Sequence, residues 1–160
     1  MLVLKQEENV FPLDKQSKTL IIEQITQSPN HYRWHPGMLY RFSMELGADV
    51  DYLETFFTYD ESDRRNIEQE AEAYDTIIIT NYFTRGKLSN TEYLSNLMKK
   101  YPHKKIVLVT NTPYPRTIPE NAKNVFITFA TSPENVKATA KALFGEIQPE
   151  GEYPIRYRMF

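Results

Sequence analysis

The residues able to do chemistry fall into a few groups. Carboxylates crowd one stretch: Asp60, Glu61 and Asp63, then Glu68, Glu70 and Glu72. Two carboxyl groups held about 5 to 10 Å apart would cleave a glycosidic bond, one as acid and the other as nucleophile or base. The spacing here does not supply such a pair. These acids read as a helix cap followed by a solvated helix face, and none except Asp60 falls where a strand is expected to end. His31 and His35 stand four apart, which tempts a metal reading. Pro29 and Pro36 bracket them in a loop, however, and no Asp or Glu lies near at ligand spacing, so no metal is expected.

Tyr32-Arg33-Trp34-His35 gathers aromatic rings and a cation in one loop. That suits stacking against a sugar or anchoring an interface; folding back onto the domain is the bland alternative. Asn81 and Asn111 each close an apolar run, in Thr80-Asn81 and Thr110-Asn111. Either both amides line an edge facing a ligand or a neighbouring domain, or each ties down its own loop. Arg85 and Tyr114, in the loops that follow, belong to the same candidate edge.

Strands alternating with helices must position these residues. Thr76 to Asn81 and Ile106 to Asn111 are apolar on successive positions, as in strands covered on both faces. Val125 to Ala130 is a third such run. Lys18 to Ile25 reads as the first main strand and Val50 to Tyr59 as an aromatic-rich second, with Leu2 to Leu4 a short apolar segment. One helix is expected from Pro36 to Gly47, with Leu39, Phe42 and Leu46 on one face. A second follows an Asp60 cap and carries the stripe Ile67, Ala71 and Tyr74. A third follows Ser89-Asn90-Thr91-Glu92, which has capping-box spacing, with Tyr93, Leu94, Leu97 and Met98 inward. The last opens at Ser132-Pro133-Glu134, buries Val136, Ala140, Leu143 and Phe144, and stops at Gly145. The alternation predicts one domain over residues 1–160, a three-layer α/β/α sandwich on a mostly parallel sheet of five to six strands. In such sheets the ligand crevice lies at the carboxyl ends of the strands, where Asn81 and Asn111 fall.

Composition removes several classes of function. The 160 residues are 41% hydrophobic and 25% charged, ordinary values for a globular domain. Nineteen Lys and Arg stand against 21 Asp and Glu, with no basic cluster evident, so a nucleic-acid partner is not expected. Without cysteine there is no disulfide, thiolate metal site or cysteine nucleophile. Five glycines form no phosphate-cradling loop. A phospho-accepting receiver would want Asp where Asn81 stands. No apolar run approaches the roughly 20 residues that span a bilayer, and Met1-Leu2-Val3-Leu4-Lys5 lacks the shape of a signal peptide.

The punctuating residues carry more than periodicity does. Leu2 to Glu7 leads into Val10-Phe11-Pro12-Leu13; Tyr74-Asp75 introduces the first buried run; Asn111-Thr112-Pro113-Tyr114 follows the second. Leu143-Phe144-Gly145-Glu146 precedes Pro149-Glu150-Gly151-Glu152-Tyr153-Pro154-Ile155. In order and spacing these resemble the C-terminal domain of glycoside hydrolase family 3, on the branch of bacterial β-N-acetylglucosaminidases. That domain has a Leu-Pro-Leu type turn, an Asn-Pro-Tyr turn (here with Thr112 inserted) and an LFGE…P-x-G-x-L-P-V ending (here with Tyr153 and Ile155 replacing Leu and Val).

The resemblance implies that the nucleophile is an Asp on a preceding (β/α)₈ barrel, absent from this chain. No counterpart is found for the acid/base Glu that the second domain supplies in the β-glucosidase branch. In the glucosaminidase branch a His-Asp pair on a barrel loop takes that role. The chain is therefore expected to be a non-catalytic accessory domain, a fragment or split-gene product, inactive alone and needing no cofactor. Its expected partner is the barrel, with carbohydrate as a further candidate, met at an edge formed by Arg33, Trp34, Asn81, Arg85, Asn111 and Tyr114. A free-standing carbohydrate or small-ligand binding module is the alternative. A self-associating domain using Pro113-Tyr114-Pro115 and the aromatic tail Tyr153 to Phe160 is a third.

Overall fold

In the computed structural model the chain is described over residues 2–7, 9–25 and 37–151. The elements run β1 (Leu2–Lys5), β2 (Thr19–Gln24), α1 (Met38–Glu45), β3 (Val50–Thr55), α2 (Glu61–Ala71), β4 (Thr76–Thr80), α3 (Thr91–Lys100), β5 (Lys105–Thr110), β6 (Asn124–Ile127) and α4 (Pro133–Leu143). They form one six-stranded sheet in the order β1-β6-β5-β4-β2-β3. Strands β2 to β6 are mutually parallel, and β1 adds antiparallel to β6 at the edge. The mostly parallel sandwich expected from the alternation is present.

Successive residues of each central strand serve opposite cores, because strand side chains alternate between faces. Ile21, Ile78, Val107, Val109 and Phe126 pack with Leu39 of α1 and with Val136, Ala140 and Leu143 of α4. Leu20, Ile22, Ile77, Ile79, Leu108 and Val125 pack with Ile67 and Ala71 of α2 and Leu94 and Leu97 of α3. Helices on both faces explain why these strands read as unbroken apolar runs.

Two strands end earlier than the pattern suggests. β3 stops at Thr55 because the Phe56 amide donates to Asp63 Oδ2 at 3.0 Å, turning the chain into the start of α2. β6 stops at Ile127, and Phe129 takes a left-handed φ of 64°, which a strand does not accommodate. Asp60 caps α2 as expected: its side chain accepts the Asp63 amide at 2.7 Å, and Asp63 accepts the Asp60 amide at 3.2 Å. Tyr74 lies beyond the end of α2, half-buried. Ser132 caps α4 with Pro133 in its first turn.

The capping box expected at Ser89 and Glu92 does not form. Asn90 is the N-cap of α3, with no side-chain capping bond. Ser89 engages the Thr91 hydroxyl and the Arg116 carbonyl instead. Asn90 turns inward, accepting from the Tyr59 amide at 2.9 Å and donating to the Phe57 carbonyl at 2.9 Å. Those backbone groups are buried and have no water to fall back on, whereas the exposed helix end does.

The two sequence segments that carried much of the family resemblance meet in space. The Leu13 amide donates to the Leu143 carbonyl at 2.8 Å, and Lys15 pairs with Glu146. Gly145 sits against Pro12 with φ 78°, and a Cβ there would lie 2.8 Å from Pro12 Cβ. Backbone angle and space both work against any larger residue, since the Pro12 turn would have to shift.

Candidate functional site at the carboxyl edge

Since β2 to β6 are parallel, their carboxyl ends share one edge of the sheet. The order reverses direction between β2 and β4, with β3 outside β2 on one side and β5 and β6 on the other. In open α/β sheets this reversal opens a crevice. The residues at its mouth are Glu23 and Gln24 on β2, and Thr80, Asn81 and Tyr82 at the end of β4 and just beyond it.

Glu23 and Gln24 face opposite sides of the sheet and both are buried. Glu23 Oε1 accepts the Leu39 amide at 2.8 Å and Oε2 the Tyr40 amide at 3.2 Å. Helix α1 starts from Gly37, which has no capping side chain, so a carboxylate from the neighbouring strand does the capping. Burial pushes the Glu23 carboxyl up from 4.5 to about 7, against the pull of the two amides and Arg41. Its register partner on β3 is a second acid, Glu54, which is exposed. With both Glu23 oxygens committed to helix amides, the arrangement holds a helix rather than delivering a proton to substrate. Only Asp60 stood out in the sequence as an acid near a strand end. The signal for Glu23 was an acid inside an apolar strand, ahead of a helix that starts from glycine.

Gln24 stitches three segments. Its side chain donates to the Phe57 carbonyl at 2.7 Å and accepts the Tyr82 amide at 2.6 Å, while its own amide donates to Thr80 Oγ1 at 2.9 Å. The Tyr59 hydroxyl closes the network on the Thr80 carbonyl at 2.5 Å. Asn81, 1% exposed, donates to the Thr117 carbonyl at 2.8 Å. Asn111 accepts the Phe83 amide at 2.7 Å and donates to the Phe83 carbonyl at 3.1 Å. Both amides therefore brace loops, and the loop each braces follows the other's strand.

What reaches solvent at this edge mixes large apolar side chains with Arg85, Lys87 and Arg116. Five large hydrophobic side chains are exposed among the described residues, and four of them, Phe56, Leu88, Tyr114 and Phe129, lie in loops leaving the carboxyl ends of β3, β4, β5 and β6. Arg116 lies over the Phe83 ring at 5.5 Å. Beside them Phe57, Tyr82, Phe83, Leu88, Arg116 and Thr117 help line a cavity of about 200 Å³ with no acid among its described lining residues. Arg85 is exposed on the β4–α3 loop and Tyr114 is 48% exposed after β5. Arg33 and Trp34 lie outside the described residues, as do His31, His35 and the tail Tyr153 to Phe160. Among the described residues no three His, Asp or Glu side chains are placed to hold a metal.

No protein-family model matches the sequence, and no curated protein does. Solved structures match at the level of shape. A glycoside hydrolase family 3 β-N-acetylglucosaminidase from Paenibacillus sp. str. FPU-7 covers 91% of this chain with a TM-score of 0.74 and 17% identity. The chain has the fold of a segment of the family 3 glycoside hydrolases. The β-glucoside phosphorylase BglX covers 90% of it with a TM-score of 0.54 and 14% identity. This chain spans only 28% and 27% of those two proteins, about a quarter of each. No helix among the described residues is long and apolar enough to cross a membrane.

Proposed function

We propose that the chain is a non-catalytic accessory domain of a β-N-acetylhexosaminidase-like glycoside hydrolase, docked by the carboxyl edge of its sheet against a (β/α)₈ barrel. One observation carries this reading. The chain overlays an N-acetylglucosaminidase along nearly its whole length while matching 28% of it, and its exposed apolar side chains concentrate at one edge. Phe56, Leu88, Tyr114 and Phe129 expose large apolar side chains whose contact with water is unfavourable and whose burial against a partner is favourable. Arg85, and Arg33 and Trp34 from the loop after β2, add the polar and aromatic contacts such an interface uses. Substrate recognition through this edge is part of the proposal.

The test is to co-produce the chain with the (β/α)₈ barrel of the same enzyme and follow complex formation by gel filtration. A stable complex is expected, weakened by Tyr114→Glu and Phe129→Glu but not by Met44→Glu on α1. Equal effects at all three positions would remove the edge as the docking surface.

The cavity at the same edge favours a second reading, a free-standing carbohydrate-binding module. Saturable quenching of Trp34 fluorescence by chitooligosaccharides in the absence of any barrel would support it over the first.

A further inference from the structure

At the opposite end of the sheet, where β5 and β6 begin, lies a second cavity of about 230 Å³. Its walls include Met98, Tyr101, Pro102 and Ile106, with Ile106 and Tyr101 mostly buried. Three lysines line it: Lys99 from the last turn of α3, Lys104 from the α3–β5 connection, and Lys123 just ahead of β6. The sequence already groups Lys99, Lys100, Lys104 and Lys105 within seven residues, a basic cluster the sequence reading passed over; the parallel pairing of β5 and β6 brings the remote Lys123 to it.

The acids nearby do not cancel this charge. Lys123 faces Glu7 at a loose 3.8 Å, and the four ion pairs among the described residues include neither Lys99 nor Lys104. Glu68 is engaged by Lys100, and Glu72 accepts the Tyr101 hydroxyl at 2.7 Å. Lys104 is held in place by the Tyr74 carbonyl at 2.7 Å. Asn121 and Asn124 complete the lining, and both amides are already bonded within the protein. A concave wall of low dielectric concentrates the field of cations on its rim. Lys99 offsets the negative end of α3, Lys104 also lies over the Tyr101 ring at 5.3 Å, and Lys123 keeps only its loose contact with Glu7, so three cations are held at one rim.

The geometry points to a binding site for a small anion that carries a flat apolar body. The ring system packs on Tyr101, Pro102 and Ile106, and its carboxylate, sulfonate or phosphate meets Lys99 and Lys123. The volume is below the usual range for drug-sized ligands, which limits the body to one or two rings. This site is at the far end of the strands from the proposed docking edge, so the two can be occupied independently.

The experiment titrates naphthalene sulfonate, and separately neutral naphthyl methanol, into the ¹⁵N-labelled chain and follows amide shifts by NMR. Saturable shifts confined to the segments 98–106 and 121–125 are expected for the sulfonate, with a Kd on the order of 1 mM or tighter. The neutral analogue should bind at least roughly tenfold more weakly. The double variant Lys99→Gln, Lys123→Gln, checked for an unchanged melting curve, should weaken sulfonate binding by a similar factor. Shifts that never saturate, equal binding of the neutral analogue, or undiminished binding by a folded double variant would each overturn the proposal.

Discussion

Asn81 and Asn111 exchange loops. The amide at the end of β4 holds the loop after β5 through the Thr117 carbonyl, and the amide after β5 holds the loop after β4 through Phe83. The two connections at the centre of the candidate docking edge are thus braced against one another, so an apolar surface there has a fixed shape.

Removing either amide should loosen this edge, by different amounts. Asn81→Ala strips the partner from a buried carbonyl, at a cost of about 1–3 kcal/mol. Asn111→Ala acts at a half-buried position where water can substitute, and should cost nearer 1 kcal/mol. Urea denaturation of both variants measures the order, and a larger loss for Asn111→Ala would contradict it.

Stability should also depend on pH through Glu23. Its carboxyl titrates near 4.5 when exposed and at about 7 in the folded protein, because burial disfavours its charge. The folded state keeps a proton that the unfolded chain has lost, so stability is fullest below pH 4.5 for this group and falls as pH rises to about 7. The size of the effect is roughly 3 kcal/mol. Glu23→Gln should flatten this part of the profile in a series of denaturation curves. Parallel profiles for the two proteins would show that Glu23 is ionised throughout.

The layers were legible because both faces of the sheet are covered, which writes β4 and β5 as unbroken apolar runs. Caps were legible where helix starts are exposed, as at Asp60 and Ser132. Reading failed where a side chain had a more distant buried claimant. Asn90 answers Phe57 and Tyr59, and Glu23 answers the amides of α1; neither partner lies at a fixed spacing in sequence. The same reason hid the exchange between Asn81 and Asn111, which read either as facing a ligand or neighbouring domain or as holding their own loops. Part of the family resemblance, by contrast, rested on residues that touch: Pro12 against Gly145, and Leu13 against Leu143.

That contact can be tested alone. Gly145 and Gly86 both have left-handed backbones, but a Cβ at Gly86 meets nothing within 4 Å, while at Gly145 it meets Pro12 at 2.8 Å. Gly86→Ala should cost about 1 kcal/mol from backbone strain. Gly145→Ala should cost that plus the displacement of the Pro12 turn, for a total on the order of 2–4 kcal/mol. Thermal melts of the two variants compare them, and equal losses would mean that Pro12 yields freely.

The most direct measurement is hydrolysis of an aryl N-acetylglucosaminide by the purified chain, followed across a gel-filtration peak. Among the described residues, the only acids facing each other across strands near the edge are Glu23 and Glu54, and Glu23 is shut in the core by α1. The account predicts no turnover above buffer in any fraction of the folded chain. Product formation that tracks the protein peak and disappears in Glu23→Gln would contradict it.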